Sequence, residues 1–294
     1  MTAPTATKPT TVADPHAMRC LELWGGTGSA REAASVPGLD IYVRCDPYRG
    51  AESGGDIYYV SMCGAGNIAR IVLADVSGHG ADVADASRLL RTQMRRNINT
   101  VDQTRMARQL NAQFGAEGDG TKFATALLMT YFAPSNHLVI VNAGHPPPLI
   151  WRAAKRAWSY AEAEDAPATP DAGVSNLPLG IIEPTGYEQF ALPIEPGDVA
   201  LLYTDALPET ADESGAQLGQ AGLLELVRSL SEPAGETIGE RVADALEQRR
   251  NGAPPEDDQT IVAISHNGAT PPGLSMGEHL RVIGRMIGIG RLGP

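Results

Sequence analysis

The sequence of 294 residues lacks most of what a secreted, membrane-spanning or nucleic-acid-binding chain needs. Its three cysteines, Cys20, Cys45 and Cys63, are odd in number and show no Cys-x-x-Cys spacing. That argues against a disulfide framework and against the common zinc and redox motifs, and it fits a reducing compartment. No run approaches the roughly 18 apolar residues of a membrane helix. The first fifteen residues, rich in Thr, Pro and Ala, have no apolar centre of the secretory kind. Nor is there a block of Lys and Arg: 35 acidic side chains against 23 basic ones leave a formal charge of −12, which repels phosphate backbones. The glycines of Trp24-Gly25-Gly26-Thr27-Gly28 are not followed by Gly-Lys-Ser/Thr, so this run reads as a turn rather than a nucleotide loop. The expectation is a cytoplasmic protein with neither nucleic acid nor a membrane as partner.

What is present is enough apolar sequence, 43%, for one large domain. Residues 1–18 are polar and proline-rich and are expected to be a disordered tail, with the domain running from 19 to 267. The remainder, 268–294, is a tail in which Leu280, Ile283 and Ile287 have the spacing of a short amphipathic helix. Such a helix could dock on the domain, meet a partner or lie on a membrane surface, and the alternative is a disordered end. Short β-branched and aromatic runs predict strands over 40–45, 56–61 and 67–74. Val83, Ala86, Leu90, Met94 and Ile98 recur at intervals of three and four and predict a helix over 80–99. Further along, the pattern predicts a helix over 103–114, strands over 123–132 and 138–142, a loop over 161–176 and a strand over 198–204. Helices over 223–230 and 237–248 and a strand over 259–265 complete it. Blocks of strands and helices, without regular alternation, favour an α+β fold with antiparallel sheets.

Acidic residues stand where apolar strands meet turns: Asp56 after Ser53-Gly54-Gly55, Asp75 before Val76-Ser77-Gly78-His79-Gly80, Asp205 after Tyr203-Thr204, and Asp257-Asp258 before Gln259-Thr260. A carboxylate at the end of a buried element must be hydrogen-bonded, paired or metal-bound. Any one of these could be a turn cap. Four such settings, with no Lys or Arg within four residues of Asp56, Asp75 or Asp205, point to hard divalent cations, which take carboxylate, carbonyl and water oxygens.

Together with Asn142-Ala143-Gly144-His145-Pro146 and Leu177-Pro178-Leu179-Gly180, these blocks occur in an order that resembles the bacterial metal-dependent protein phosphatases. The branch resembled is that of stage II sporulation protein E and the phosphatases of sigma-factor partner switching, with the match running from about Asp40 to His266. The resemblance implies a four-layer α-β-β-α sandwich with two Mn²⁺ or Mg²⁺ ions at one edge. It implies that Asp75 bridges the ions, that the Val76 carbonyl binds one of them, and that Asp205 and Asp257 complete the other. Asp56 would act directly or through water, and Asp258, Gly55 and Gly78 would support them. The implied substrate is a phosphorylated protein, in this branch a small anti-sigma-factor antagonist.

A metal pair lowers the pKa of a bridging water and shields phosphoryl oxygens, so no cysteine nucleophile is required. For the proton of the leaving oxygen the candidate is His79, with packing at a helix start as the alternative role. His145 is expected to shape its turn. Arg44 and Arg49 could grip substrate phosphate, or could serve only as ordinary exposed side chains. Two departures from the resembled pattern stand out. Ala206 replaces a glycine after Asp205, which is tolerable if its φ is negative. Only about forty residues precede the first motif-bearing strand, which sets the expectation that no sensor domain is attached. The competing readings are a non-catalytic phosphoprotein-binding module of the same fold and a small-molecule phosphoesterase.

Overall fold

Apolar side chains on both faces of the same strands sort the chain into layers. The computed structural model describes residues 20–63, 66–78, 83–118, 120–161, 175–230, 232–233 and 235–269. One six-stranded sheet has the order β1 (Cys20–Gly26), β4 (Asp56–Cys63), β5 (Ile68–Val76), β6 (Ala124–Phe132), β7 (His137–Ala143), β10 (Gln189–Pro193). The other runs β2 (Ala30–Val36), β3 (Leu39–Asp46), β12 (Gln259–His266), β11 (Val199–Tyr203), β8 (Leu149–Arg152), β9 (Ala157–Tyr160). Neighbouring strands are antiparallel in both sheets.

Because side chains alternate across a strand, each sheet feeds two cores. Val43, Val60, Ile71, Leu73, Leu202 and Val262 are fully buried in the core that joins the sheets. Val72, Ala74 and Leu128, on the outer face of the first sheet, meet Leu90 and Met94 of α1 (Ala84–Asn97) and Met106, Leu110 and Phe114 of α2 (Gln103–Glu117). Leu201, Tyr203, Ile261 and Ala263 meet α3 (Gly219–Ser229) and α4 (Gly235–Arg249) through Leu223, Val227, Val242 and Leu246. The result is the expected α-β-β-α sandwich. Within it α2 is capped by Asp102, whose side chain accepts a hydrogen bond from the Arg105 N–H at 2.9 Å.

The predicted strands and helices are all present, with ends shifted by a few residues. Five strands were not predicted: β1, β2, β8, β9 and β10. Trp24, Gly25 and Gly26, read from sequence as a turn, pair with Val60, Tyr59 and Tyr58 as part of β1, after a register shift between Glu22 and Trp24. Among the described residues no helix is long and apolar enough to cross a membrane. The expectations for residues 1–18 and for the helical spacing near 280–287 lie outside the described residues, as does most of the loop expected over 161–176. Cys45 and Cys63 are free and buried.

Candidate functional site

The acidic residues gather because four strand ends share one edge of the sandwich. Asp56 opens β4 and is the cross-strand neighbour of Asp75 near the end of β5. Asp205 follows β11 and Asp257 precedes β12, two strands paired so that Tyr203 faces Ile261. The two sheets are stitched at this point by Thr204, whose hydroxyl donates to Asp56 Oδ2 at 2.9 Å and accepts from the Thr260 N–H at 3.1 Å.

Asp258 has a different task. One of its carboxylate oxygens accepts from the Tyr48 N–H at 2.7 Å and the other from the Gly55 N–H at 2.6 Å. It thereby clamps the turn that delivers Asp56. The two glycines of that turn are dictated by close approach. A Cβ on Gly54 would lie 2.1 Å from Asp258 Oδ1. A Cβ on Gly55 would lie 2.8 Å from the Val76 carbonyl oxygen, 3.0 Å from that of Gly78 and 3.2 Å from Asp75 Oδ1. Gly55 therefore leaves open a cradle on which three oxygens converge.

The electrostatics carry one sign. Burial, then the charges of Asp205, Asp257, Asp258 and Glu209, push the Asp75 carboxyl up to about 8. Burial and then the Asp75 charge raise Asp56 well above the usual carboxylate range, against the pull of the Thr260 and Thr204 hydroxyls. Asp205 is raised by burial, and Glu209 by burial and by Asp205 and Asp257. Such a gathering is unfavourable unless protons or cations neutralise it.

The donor set suits a hard cation. Carboxylates and backbone carbonyls are the ligands that magnesium-type ions accept, with one or two carboxylates per ion and water in the remaining positions. Among the described residues no three Asp, Glu, His or Cys side chains form a ready-made cage. The fit is therefore to a water-rich site, in which the Val76 and Gly78 carbonyls stand beside Asp75.

Of the remaining expected residues, His145 shapes its turn. Its N–H donates to Asn142 Oδ1 at 2.7 Å, its carbonyl accepts from Asn142 Nδ2 at 2.8 Å, and its Nδ1 lies 2.8 Å from the Thr125 hydroxyl. Burial lowers its pKa to about 3, so the ring is neutral. Arg44 is not part of the gathering: on β3 it is held by Asp46 at 2.8 Å and by Glu240 of α4. This removes it as a free phosphate grip, a commitment made across sheet and helix and invisible in sequence. Arg49 is exposed, with its guanidinium 4.9 Å from the centre of the Tyr48 ring, one residue from the Asp258 clamp. His79 lies outside the described residues. Ala206 is not among the non-glycine residues with positive φ, so the lost glycine imposes no strain.

Three contributors were missed. Thr204 was visible only as a neighbour of Asp205. Glu209 stands four residues after Asp205, to whose carbonyl its N–H donates at 3.0 Å, and that i, i+4 spacing was the available signal. Lys122 brings a basic side chain beside Ser77, two residues after Asp75. Its Nζ donates to the Ser77 carbonyl at 3.2 Å, reached through the pairing of β5 with β6.

This fold and this acidic edge resemble those of the metal-dependent phosphatases. The model of the stage II sporulation protein E (SpoIIE) family matches residues 66–267. The chain belongs to that family, whose phosphatases are metal-dependent. It is 21% identical over 241 residues to the phosphoserine phosphatase RsbP of Bacillus subtilis (strain 168), covering 80% of this chain and 55% of RsbP. To the phosphoserine phosphatase RsbU of the same organism it is 24% identical over 147 residues, 50% of this chain and 41% of RsbU. The chain thus spans about half the length of the curated relatives it matches. Among solved structures, the RsbU and RsbW domains of Rv1364c from Mycobacterium tuberculosis superpose with a TM-score of 0.65 at 25% identity, over 88% of this chain and 70% of that one.

Proposed function

We propose that the chain is an Mg²⁺- or Mn²⁺-dependent serine/threonine protein phosphatase, acting on a phosphoprotein of a partner-switching pathway such as an anti-sigma-factor antagonist. The observation that carries this reading is the meeting of Asp56, Asp75, Asp205 and Asp257 from two sheets beside the oxygen cradle at Gly55. Its relatives RsbU and RsbP are named phosphoserine phosphatases.

In this reading Asp75, the Val76 carbonyl, Asp205 and Asp257 would hold two cations, and Asp56 would join directly or through water. When bound, the cations supply a nucleophilic water at neutral pH and counter the charge of the phosphoryl oxygens. The chain's own part is to fix the donors. Thr204 aims the Asp56 carboxylate, Asp258 holds the turn that carries it, and Gly55 keeps the cradle clear. Lys122 adds one positive charge beside Ser77, and Arg49 a second near Tyr48, both suited to substrate phosphate. His145, buried and neutral, keeps the strand end in place and does not donate the leaving-group proton.

Purified protein should hydrolyse p-nitrophenyl phosphate with Mn²⁺ and lose that activity in EDTA. Asp75→Asn and Asp205→Asn should each lower kcat by at least a hundredfold. Full activity in either variant would reject the assignment.

A further inference from the structure

Three large apolar side chains stand out as exposed among the described residues: Phe123 at 41%, Ile181 at 45% and Ile182 at 53%. Though distant in sequence, they share one edge. Ala124 and Leu179 form an antiparallel bridge, the Ala124 N–H donating to the Leu179 carbonyl at 2.9 Å and the Leu179 N–H to the Ala124 carbonyl at 2.7 Å. The isoleucines are held out on a pinned backbone. On α2, Asn111 accepts from the Gly180 N–H at 2.8 Å and donates to the Ile182 carbonyl at 3.0 Å, and Thr185 donates to that same carbonyl at 2.7 Å. Single exposed apolar residues are ordinary, but a rigid group of them marks a contact surface.

The same edge is continuous with the acidic centre. The Ser77 N–H donates to the Phe123 carbonyl at 2.9 Å, and the Phe123 N–H donates to Ser77 Oγ at 3.2 Å. Ser77 directly follows Val76, whose carbonyl lines the Gly55 cradle. Groups flanking a phosphate brought to that cradle would meet this edge first at Phe123 and, across the Ala124–Leu179 bridge, at Ile181 and Ile182. A small phosphoester has nothing to place there, whereas a protein does. With a net charge of −12 on the chain, contact through apolar groups is also the mode least opposed by repulsion from an acidic phosphoprotein.

We infer that Phe123, Ile181 and Ile182 form the docking lip for the phosphoprotein substrate and select a phosphoserine flanked by apolar side chains. This rests on the phosphatase reading above for the identity of the site. The test uses two synthetic phosphoserine peptides of equal length and charge, one with Leu on both sides of the phosphoserine and one with Ser there. Turnover of each by the Mn²⁺-loaded protein is divided by its turnover of p-nitrophenyl phosphate, so that differences in folding or chemistry cancel. The Leu-flanked peptide should be favoured about tenfold in kcat/KM, since partial burial of two such side chains is worth about 1.4 kcal/mol. The preference should fall to about twofold or less in Phe123→Ser and in Ile181→Ser/Ile182→Ser. Equal turnover of the two peptides by the unmodified protein, or a preference that survives in both variants, overturns the proposal. So does concentration-dependent self-association in sedimentation that the isoleucine variant abolishes, because the lip would then belong to a second copy. Fluorescence anisotropy reads the same preference in binding. A protein that binds selectively but turns over nothing would refute the phosphatase reading and leave the lip assigned.

Discussion

Removal of the Asp258 carboxylate tests whether that residue is a structural clamp. It is 2% exposed, and its two oxygens take the N–H groups of Tyr48 and Gly55 at 2.7 and 2.6 Å. A hydrogen bond to a charged group contributes about 1.5–3 kcal/mol, and a buried donor left without a partner costs about 1–3 kcal/mol. Gly55 is buried and pays that penalty in full, while Tyr48 is only partly buried and can recover some of its loss from water. Loss of one negative charge beside Asp75 works in the opposite direction in metal-free protein. The net expectation for Asp258→Ala is a loss of about 2–4 kcal/mol. For a domain of this size that is a fall in Tm of roughly 5–15 °C. Asp258→Asn keeps one acceptor and should lose about half as much. Thermal and urea denaturation followed by circular dichroism, with and without Mn²⁺, measures both. Unchanged or raised stability in Asp258→Ala would refute the clamp and return the residue to the list of plain acidic neighbours.

Gly54→Ala should also destabilise, by about 1–3 kcal/mol, because the new Cβ lies 2.1 Å from Asp258 Oδ1 and one of the two must move; urea midpoints read the loss, and a midpoint equal to wild type would show that the turn yields freely. Arg44→Ala should leave the KM for p-nitrophenyl phosphate within twofold and lower stability by less than about 1 kcal/mol, since its Glu240 partner is 41% exposed. A tenfold rise in KM would restore Arg44 as a phosphate ligand. The raised Asp75 carboxyl means that the folded, metal-free protein keeps a proton that the unfolded chain releases. Stability in EDTA should therefore be fullest below about pH 4 as far as this group is concerned, and fall as pH rises toward 8. Saturating Mn²⁺ should remove that slope, and a stability in EDTA that rose steadily through this range would contradict the arrangement.

The fold was legible where burial is local and periodic. The stripe from Val83 to Ile98 and the apolar runs of β5, β6, β11 and β12 pack as their patterns require. The missed strands are those whose pattern is weak: β10 is partly exposed along its length, β8 and β9 are four residues each, β2 is buried only at its two ends, and β1 carries two glycines and a register shift. β1 and β10 depend on partners far away in the chain, β4 and β7, and β8 on β11 as well as on its neighbour β9. The candidate site shows the same division. Asp56, Asp75, Asp205 and Asp257 announced themselves by standing where apolar strands meet turns. The cradle at Gly55, the stitch by Thr204, the cation of Lys122 and the capture of Arg44 by Glu240 arise only from strand pairing and helix packing. Gly55 and Thr204 are sequence neighbours of the acids, but the groups they meet, like those met by Lys122 and Arg44, lie far outside any local window.

The most direct measurement is a calorimetric titration of Mn²⁺ into the metal-free protein at pH 7, repeated with Asp75→Asn and with Glu225→Gln, a surface acid whose side chain is 70% exposed. Saturable binding that weakens at least tenfold in Asp75→Asn and is unaltered in Glu225→Gln is the expected outcome. No saturable binding in the unmodified protein, or equal affinity in Asp75→Asn, would contradict a divalent-cation centre at this edge of the sandwich.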